Sequence, residues 1–453
     1  MVSQIKALDN SGVTQDLLNF LNNSTCNFTA VLSAIDMLES SGFTRIRESE
    51  EWKLKKGGKY FVVKNDTAIF AFIIGEKEVE NSGFKIISAH TDSPCFKLKP
   101  HCEIYGDGGV VSLNVEKYGG GIMSTWFDRP LSIAGRVLLR SGNALKPTQM
   151  IIDLHSPVAT IPNLAIHFNR QVNDGYKLSV QKDMKPVIGY FSPDRIDEYK
   201  KNGGLIAAML CNHINDNSPA EKKISPSDIL DYELCLYPAE KAALCGINDE
   251  FIQSARIDDL SMAYCGLAAL LKDASYDTDC TRIIALFDNE ETGSGTKQGA
   301  ASPVLRHIAE RICISLSDSS QCIYRSLSRS FMISADDAHG WHPNYNDKYD
   351  PTNHPVLGGG PVVKINANCK YMTDGRGAAV FHALCEEAGV KMQYFVNHGD
   401  VAGGSTLGNI SSSQLDIEGV DVGCAIWAMH SARETAAVSD HIDMIKVFRQ
   451  FLK

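Results

Sequence analysis

The stretch FKIISAHTDSP, Phe84–Pro94, decides the fold class. Phe84–Ser88 is a short apolar run of strand type. It delivers His90 at its carboxyl end and Asp92 two residues later, in a Thr-Asp-Ser-Pro turn. The pattern recurs downstream. RIIALFDNEETGSG (Arg282–Gly295) runs into Glu290 and Glu291, FMISADDAHGWHPN (Phe331–Asn344) into Asp336, and CAIWAMHSARE (Cys424–Glu434) into His430. Other strand-type runs are Tyr60–Val63, Ala68–Ile74, Cys313–Ser315, Val362–Ile365 and Met392–Phe395. Helical patterns lie around and between them. Asp16–Gly42 reads as helices, with Val31, Ile35 and Leu38 on one face and Gly42 as a stop. Ser261–Lys272 is a helix that Asp258 or Asp259 suits as N-cap. Gly377–Ala388 is another, and the last starts near Ser439, with Ile442, Ile445 and Leu452 on one face. Strands alternating with helices predict an α/β class: a mainly parallel sheet with helices on both faces.

From about Cys95 to about Tyr232 the texture changes. The runs Val110–Val115, Leu131–Leu139, Gln149–Leu154, Leu178–Gln181 and Pro186–Phe191 are strand-like, and glycine clusters such as Gly119–Gly121 punctuate them. One helical patch, Leu205–Cys211, interrupts. With 453 residues the chain exceeds the roughly 250–300 at which single cores stop growing. The expected organisation is an α/β domain split in sequence, residues 1–95 and 234–453, with a β-rich domain, 96–233, inserted. No internal repeat or low-complexity stretch interrupts this pattern.

Composition removes some classes of function. The formal charge of −10 opposes a phosphate backbone, so nucleic acid is not an expected partner. No apolar run reaches about 18 residues, so no membrane partner is expected. MVSQIKALDNSGV lacks the basic and apolar regions of a secretory leader. The 13 cysteines are odd in number and scattered, which suits reduced thiols and a cytoplasmic location.

Ligands in open α/β sheets bind beyond the carboxyl ends of the strands. His90, Glu290, Glu291, Asp336 and His430 stand there, and Asp258 opens a helix. Taken singly each has a bland reading: a structural histidine, a solvated turn, an N-cap. Their repetition at equivalent ends of separate elements points to metal. Nitrogen and oxygen donors suit zinc, cobalt or manganese and need no cysteine. Strand neighbours point to opposite sides, so one of Glu290 and Glu291 can hold a metal while the other stays free as a general base. Two ions about 3.5–4 Å apart would polarise a carbonyl and activate water. Asp92 is placed to accept a hydrogen bond from the His90 imidazole.

These motifs resemble the M18 aspartyl aminopeptidases, co-catalytic dizinc exopeptidases, over nearly the whole chain. The resemblance rests on SAHTDSPCFKLKP, FDRPLSIAGRV, IPNLAIHFNR, IDDLSM, DNEETGSGT, SADDAHGWHPNY, GPVVKINANCKY and AMHSARE, in that order. It implies that Asp258 bridges two ions, that His90 and Asp336 complete one site, and that Glu291 and His430 complete the other. By the same resemblance Glu290 is the general base and Asp92 supports His90. The inserted segment is implied to be a dimerisation domain, with dimers assembling into a tetrahedral dodecamer. His167 is implied to reach a neighbouring subunit's active site; by itself it reads as a buried strand histidine. Short peptides with N-terminal Asp or Glu are the implied substrates. Lys364 would pair with the acidic side chain, Tyr371 would be a second pocket residue, and Gly404, Ser405 and Thr406 would line the pocket. His339 and His342 read as pocket or supporting residues. Two departures leave alternatives open. IDDL replaces the commoner LDN form, so Asp259 competes with Asp258, and Asp337 competes with Asp336. GDVAGGSTLG lacks the usual Pro-Cys after its Asp, which bears on substrate preference.

Overall fold

The computed structural model describes residues 10–219, 223–274 and 278–453. Most of the N-terminal stretch read above for a leader lies outside them. The chain forms two compact units. The first comprises Met1–Ser93, Ala242–Met429 and Arg433–Lys453; the second comprises Pro94–Lys241 and His430–Ala432.

The first unit is built on a nine-stranded sheet. Its order is Thr44–Arg45, Lys59–Lys64, Ala68–Ile73, Thr281–Phe287, Phe84–His90, Phe331–Ala335, Glu418–Gly423, Val362–Ile365, Gln393–Val396. The sheet is mixed. Its four strands from Thr281–Phe287 to Glu418–Gly423 run parallel to one another. The strands flanking this block, Ala68–Ile73 and Val362–Ile365, join it antiparallel. Alternation along each strand divides the core in two. Ile284, Leu286, Ile87 and Ile333 face one cluster with helices Asn10–Asn23, Asn27–Ser40, Ile257–Lys272, Gly375–Ala388 and Val438–Leu452. Ile283, Ala285, Phe287 and Ile86 face another with helices Val304–Leu316, Cys322–Leu327 and Leu407–Leu415. Each fully buried Leu, Ile or Phe contributes about 1.5–3 kcal/mol to this α/β packing.

Three sequence expectations change here. The CAIWAMH run does not join the nine-stranded sheet. Its strand, Ala425–Trp427, lies in a separate five-stranded sheet between Glu434–Ala437 and Ala338–His339. Cys313–Ser315 is not a strand but the end of helix Val304–Leu316, whose Val304, Leu305, Ile308, Ile312 and Cys313 are buried at helical spacing. Asp258 is not a simple N-cap either: Asp258 (φ −76°, ψ 108°) and Asp259 (φ −121°, ψ 19°) break the helical path near the start of Ile257–Lys272.

The second unit holds a six-stranded antiparallel sheet. Its order is Thr148–Asp153, Leu131–Leu139, Ile229–Pro238, Cys95–Tyr105, Val110–Tyr118, Val187–Tyr190. Helix Leu205–Asp216 puts Ile206, Leu210 and Ile214 into its core, beside Leu113, Ile133 and Leu236. The return strand Ile229–Pro238 continues with buried Leu234 and Leu236, so this unit extends to Lys241 rather than ending at residue 233. Leu178–Gln181 is not a strand, because Ser179 caps the short helix Val180–Asp183 through the Lys182 amide. Helix Pro193–Lys201 also stands in this segment, opened by a Ser192 cap and a proline in its first turn.

Candidate active site

The parallel centre of the nine-stranded sheet places the site. Thr281–Phe287, Phe84–His90 and Phe331–Ala335 are adjacent, and Phe287 is in register with His90. Their carboxyl ends therefore bring together three short loops. His90 is the last residue of its strand, Asp336 follows its strand directly, and Glu290 and Glu291 stand in a tight turn after Asn289. Asn289 takes a left-handed conformation, φ 63°. The two glutamates are thus separated by a helical turn and not by the strand alternation expected from sequence.

His90 is fully buried. Its Nδ1 lies 3.0 Å from the Asp92 carbonyl oxygen and 3.3 Å from Asp92 Oδ1. A carbonyl only accepts, so Nδ1 carries the hydrogen and Nε2 turns toward Asp258 Oδ1 at 3.6 Å and Asp259 Oδ2 at 4.0 Å. Asp92 does more than support this ring. Its Oδ1 accepts from the Glu290 amide at 3.1 Å and its Oδ2 from the Glu291 amide at 3.2 Å. One carboxylate thereby fixes the backbone of both glutamates.

Donor atoms of His90, Glu290 and Asp336 lie within 4.8 Å of one another, as do those of His90, Asp258 and Asp259. An oxygen of Asp258 lies equally close to one of Glu291. Glu290 and Glu291 therefore belong to different groupings, and Asp258 belongs with both His90 and Glu291.

The neighbouring aspartates also separate. Asp336 Oδ1 accepts from Lys364 Nζ at 2.7 Å. Asp337 turns elsewhere: Oδ2 accepts from Ser261 at 2.8 Å and Oδ1 from the Cys424 amide at 3.2 Å. Only Asp336 shares a grouping with His90.

The electrostatics fit a cation. Burial comes first in pushing Asp259 and Glu290 well above the usual carboxylate range, and neighbouring carboxylates add to it. Burial opposes the charge on His90, but Asp259, Asp258 and Asp92 outweigh it and hold the imidazole well above its ordinary value. Asp259 Oδ1 is buried with no hydrogen-bond partner among the described residues. Crowded buried acids of this kind need counter-charge, and their oxygen and nitrogen donors suit a divalent ion.

Among the other sequence-derived residues, Lys364 joins this site through Asp336. Two hydrogens of the Lys364 ammonium are already engaged. It is buried, donates to Asp336 and to the Asp337 carbonyl at 2.8 Å, and lies 5.6 Å from the Tyr371 ring, itself buried. Asp336 is the ion-pair partner of this ammonium, at 2.7 Å. Thr406 is buried and donates to Asp421 at 2.8 Å, whereas Gly404 and Ser405 are exposed. His342 stacks near Tyr345 at 4.9 Å, and His339 is exposed near Phe395. In the second unit, His430 has φ 69°, accepts through its carbonyl from the Ile122 amide at 2.9 Å, and has its ring beside Gly120. His167 is not a buried strand residue: it lies exposed in a turn with Leu164, Ile166 and Phe168, also exposed. Lys364 reaching Asp336 was not foreseen, and a lysine in the apolar strand Val362–Ile365 was the signal for a buried partner.

Residues 20–452 match the family model described as Aminopeptidase I zinc metalloprotease (M18). The chain belongs to the M18 aminopeptidase family. It is 44% identical over 436 residues to a probable M18 family aminopeptidase 2 of Clostridium novyi, covering 96% of this chain and 97% of that protein. A namesake from Pseudomonas aeruginosa is 39% identical over 439 residues, with 97% of each chain covered. Among solved structures, the chain in a cryo-EM structure of an Ape4 and Nbr1 complex superposes with a TM-score of 0.93 at 36% identity, covering 98% of this chain and 86% of that one. The mApe1 dodecamer of S. cerevisiae gives 0.83 at 25% identity, covering 98% and 97%. This M18 protein is therefore a metal-dependent aminopeptidase, a hydrolase.

Proposed function

We propose that this aminopeptidase removes N-terminal residues from short peptides, preferentially Asp or Glu, at a centre of two divalent ions. The observation that carries the reading is that Glu290 and Glu291, adjacent in sequence, fall into different donor groupings, Glu290 with His90 and Asp336 and Glu291 with Asp258. His90 and Asp336 would hold one ion, Glu291 and His430 the other, and Asp258 both. Zinc suits this donor set, as do cobalt and manganese. When bound there, the ions would supply the Lewis acidity that polarises the scissile carbonyl and lowers the pKa of water. Glu290 would take the proton of the attacking water and return it to the leaving amine. Asp92 would hold the Glu290 backbone in place for that transfer through its 3.1 Å hydrogen bond.

The acidic preference rests on Lys364, two of whose hydrogens are engaged by Asp336 and Asp337, leaving a third for a substrate carboxylate. A broad-specificity aminopeptidase or related deacylase is the second reading, favoured by the same Lys364–Asp336 pair, which needs no acidic substrate to neutralise it. The second unit is proposed as a dimerisation domain, with dimers building a tetrahedral dodecamer and His167 reaching a neighbour's site. The exposed turn around His167 and the dodecameric relative support that. A cytoplasmic location is part of the proposal; no helix among the described residues is long and apolar enough to cross a membrane.

A panel of aminoacyl anilides with N-terminal Glu, Asp, Leu and Ala tests the substrate claim. Faster turnover of the acidic members is expected. Equal rates on Glu and Leu would remove the preference and favour the broad reading. Absence of turnover on every member by fully metal-loaded protein would contradict the proposed reaction.

A further inference from the structure

Asp337, Cys424 and His441 converge within the first unit. Each brings one donor atom into a group whose members lie within 4.8 Å of one another. All three side chains are buried, at 1%, 0% and 2% exposure. The proposed catalytic centre uses none of them.

The imidazole is prepared for a ligand. His441 Nδ1 lies 2.9 Å from the Ala437 carbonyl oxygen. A carbonyl only accepts, so the hydrogen is on Nδ1 and Nε2 presents a bare lone pair. Burial pushes this histidine down to about 4, which keeps the ring neutral. Nε2 has no hydrogen-bond partner among the described residues, so the Cys424 thiol does not satisfy it. A buried acceptor without a donor is costly. A ring nitrogen fixed by a backbone carbonyl on its far side is also the usual preparation of a metal-binding histidine.

Asp337 is held as firmly. The Asp337 carboxylate is oriented by the Ser261 hydroxyl at 2.8 Å and the Cys424 amide at 3.2 Å. Burial first, and Asp337 next, keep the Cys424 thiol protonated. A cation among the three donors reverses that balance, since a coordinating thiol loses its proton.

We propose that Asp337, Cys424 and His441 form a separate structural site for a thiophilic divalent cation of the zinc class. Sulfur, nitrogen and oxygen donors together suit that class. Zinc-class bonds to such donors run about 2.0–2.3 Å. The site joins three segments: the turn after Phe331–Ala335, the junction between Glu418–Gly423 and Ala425–Trp427, and the first turn of Val438–Leu452. A cation there would tie the last helix to the loop that carries Asp336.

Cobalt is the probe that separates this site from the catalytic one. A sulfur-to-cobalt charge-transfer band in the near ultraviolet requires a thiolate ligand, and none of the residues proposed for catalysis contains sulfur. The test therefore stands whether or not the proposed substrate reading holds. Protein produced in cobalt-supplemented medium is expected to show the band. Cys424→Ser and His441→Gln should each abolish it and lower cobalt content by one ion per chain, with peptidase turnover retained. Wild-type protein without the band overturns the proposal, and this needs no variant to fold. A band that persists unchanged in folded Cys424→Ser or His441→Gln also overturns it and assigns the sulfur to another cysteine.

Discussion

Asp336 accepts from Lys364 and shares a donor group with His90 and Glu290, whereas Asp337, one residue on, is held by Ser261 and the Cys424 amide and groups with Cys424 and His441. The first group is rich in carboxylates, and its Glu290 is only half-buried. The second mixes sulfur, nitrogen and oxygen, and its donor side chains are fully buried. Catalytic metal sites keep a position open to substrate, while structural ones are closed. Two adjacent residues at one strand end thus have different partners, and of the two groups that of Asp337 contains sulfur.

Removing metal should break the first region most completely. Chelation is expected to reduce peptidase turnover to background, and zinc, cobalt or manganese should restore it. Turnover that survives with metal content near zero would contradict metal dependence. Lys364→Met comes next, because it leaves Asp336 without its buried partner. A loss of about 3–5 kcal/mol in denaturant unfolding of the metal-free protein is expected; a change under about 1 kcal/mol would mean that the pair is not held as described. Asp92→Asn should lower metal affinity or turnover about 10–100-fold, since an amide cannot accept from both glutamate amides with both its polar atoms. Metal titration with turnover measured in parallel checks this.

The second region gives the smallest effect and a distinct signature. Unfolded His441 takes up its proton near the ordinary value of 6.5, but the folded residue does so only near 4. Between those values the unfolded chain binds more protons. Stability should therefore fall as pH drops through this window, by up to about 1.4 kcal/mol per pH unit. Unfolding of His441→Gln followed across the window should show that slope removed; an unchanged slope would assign it to other groups.

Much of this was legible in the sequence. Phe84–His90 and Arg282–Phe287 are apolar, bounded by turns, and deliver their polar residues where the sheet ends. The α/β class follows from them. The CAIWAMH run looked equivalent yet pairs in another sheet, because sheet membership depends on non-local hydrogen bonds that no local pattern encodes. Cys313–Ser315 reads as a strand but ends helix Val304–Leu316, because three residues are too few to tell period 2 from period 3.6. Strand alternation is the sequence argument for giving Glu290 and Glu291 different directions, but the structure puts both in a turn after Asn289. The resemblance names Asp336 and leaves Asp337 as its competitor; their different partners, Lys364 for one and Ser261 and the Cys424 amide for the other, are not legible in sequence. Lys364 read as a cation for substrate; the buried acid beside it is contributed by a different strand end.

The division of labour between Glu290 and Glu291 is the central claim, and one paired measurement tests it. Metal content and turnover are determined together for Glu290→Gln and Glu291→Gln. The account predicts that Glu290→Gln keeps its full metal complement while turnover falls about 10²–10⁴-fold, and that Glu291→Gln loses bound metal. Near-normal turnover in fully loaded Glu290→Gln would contradict it.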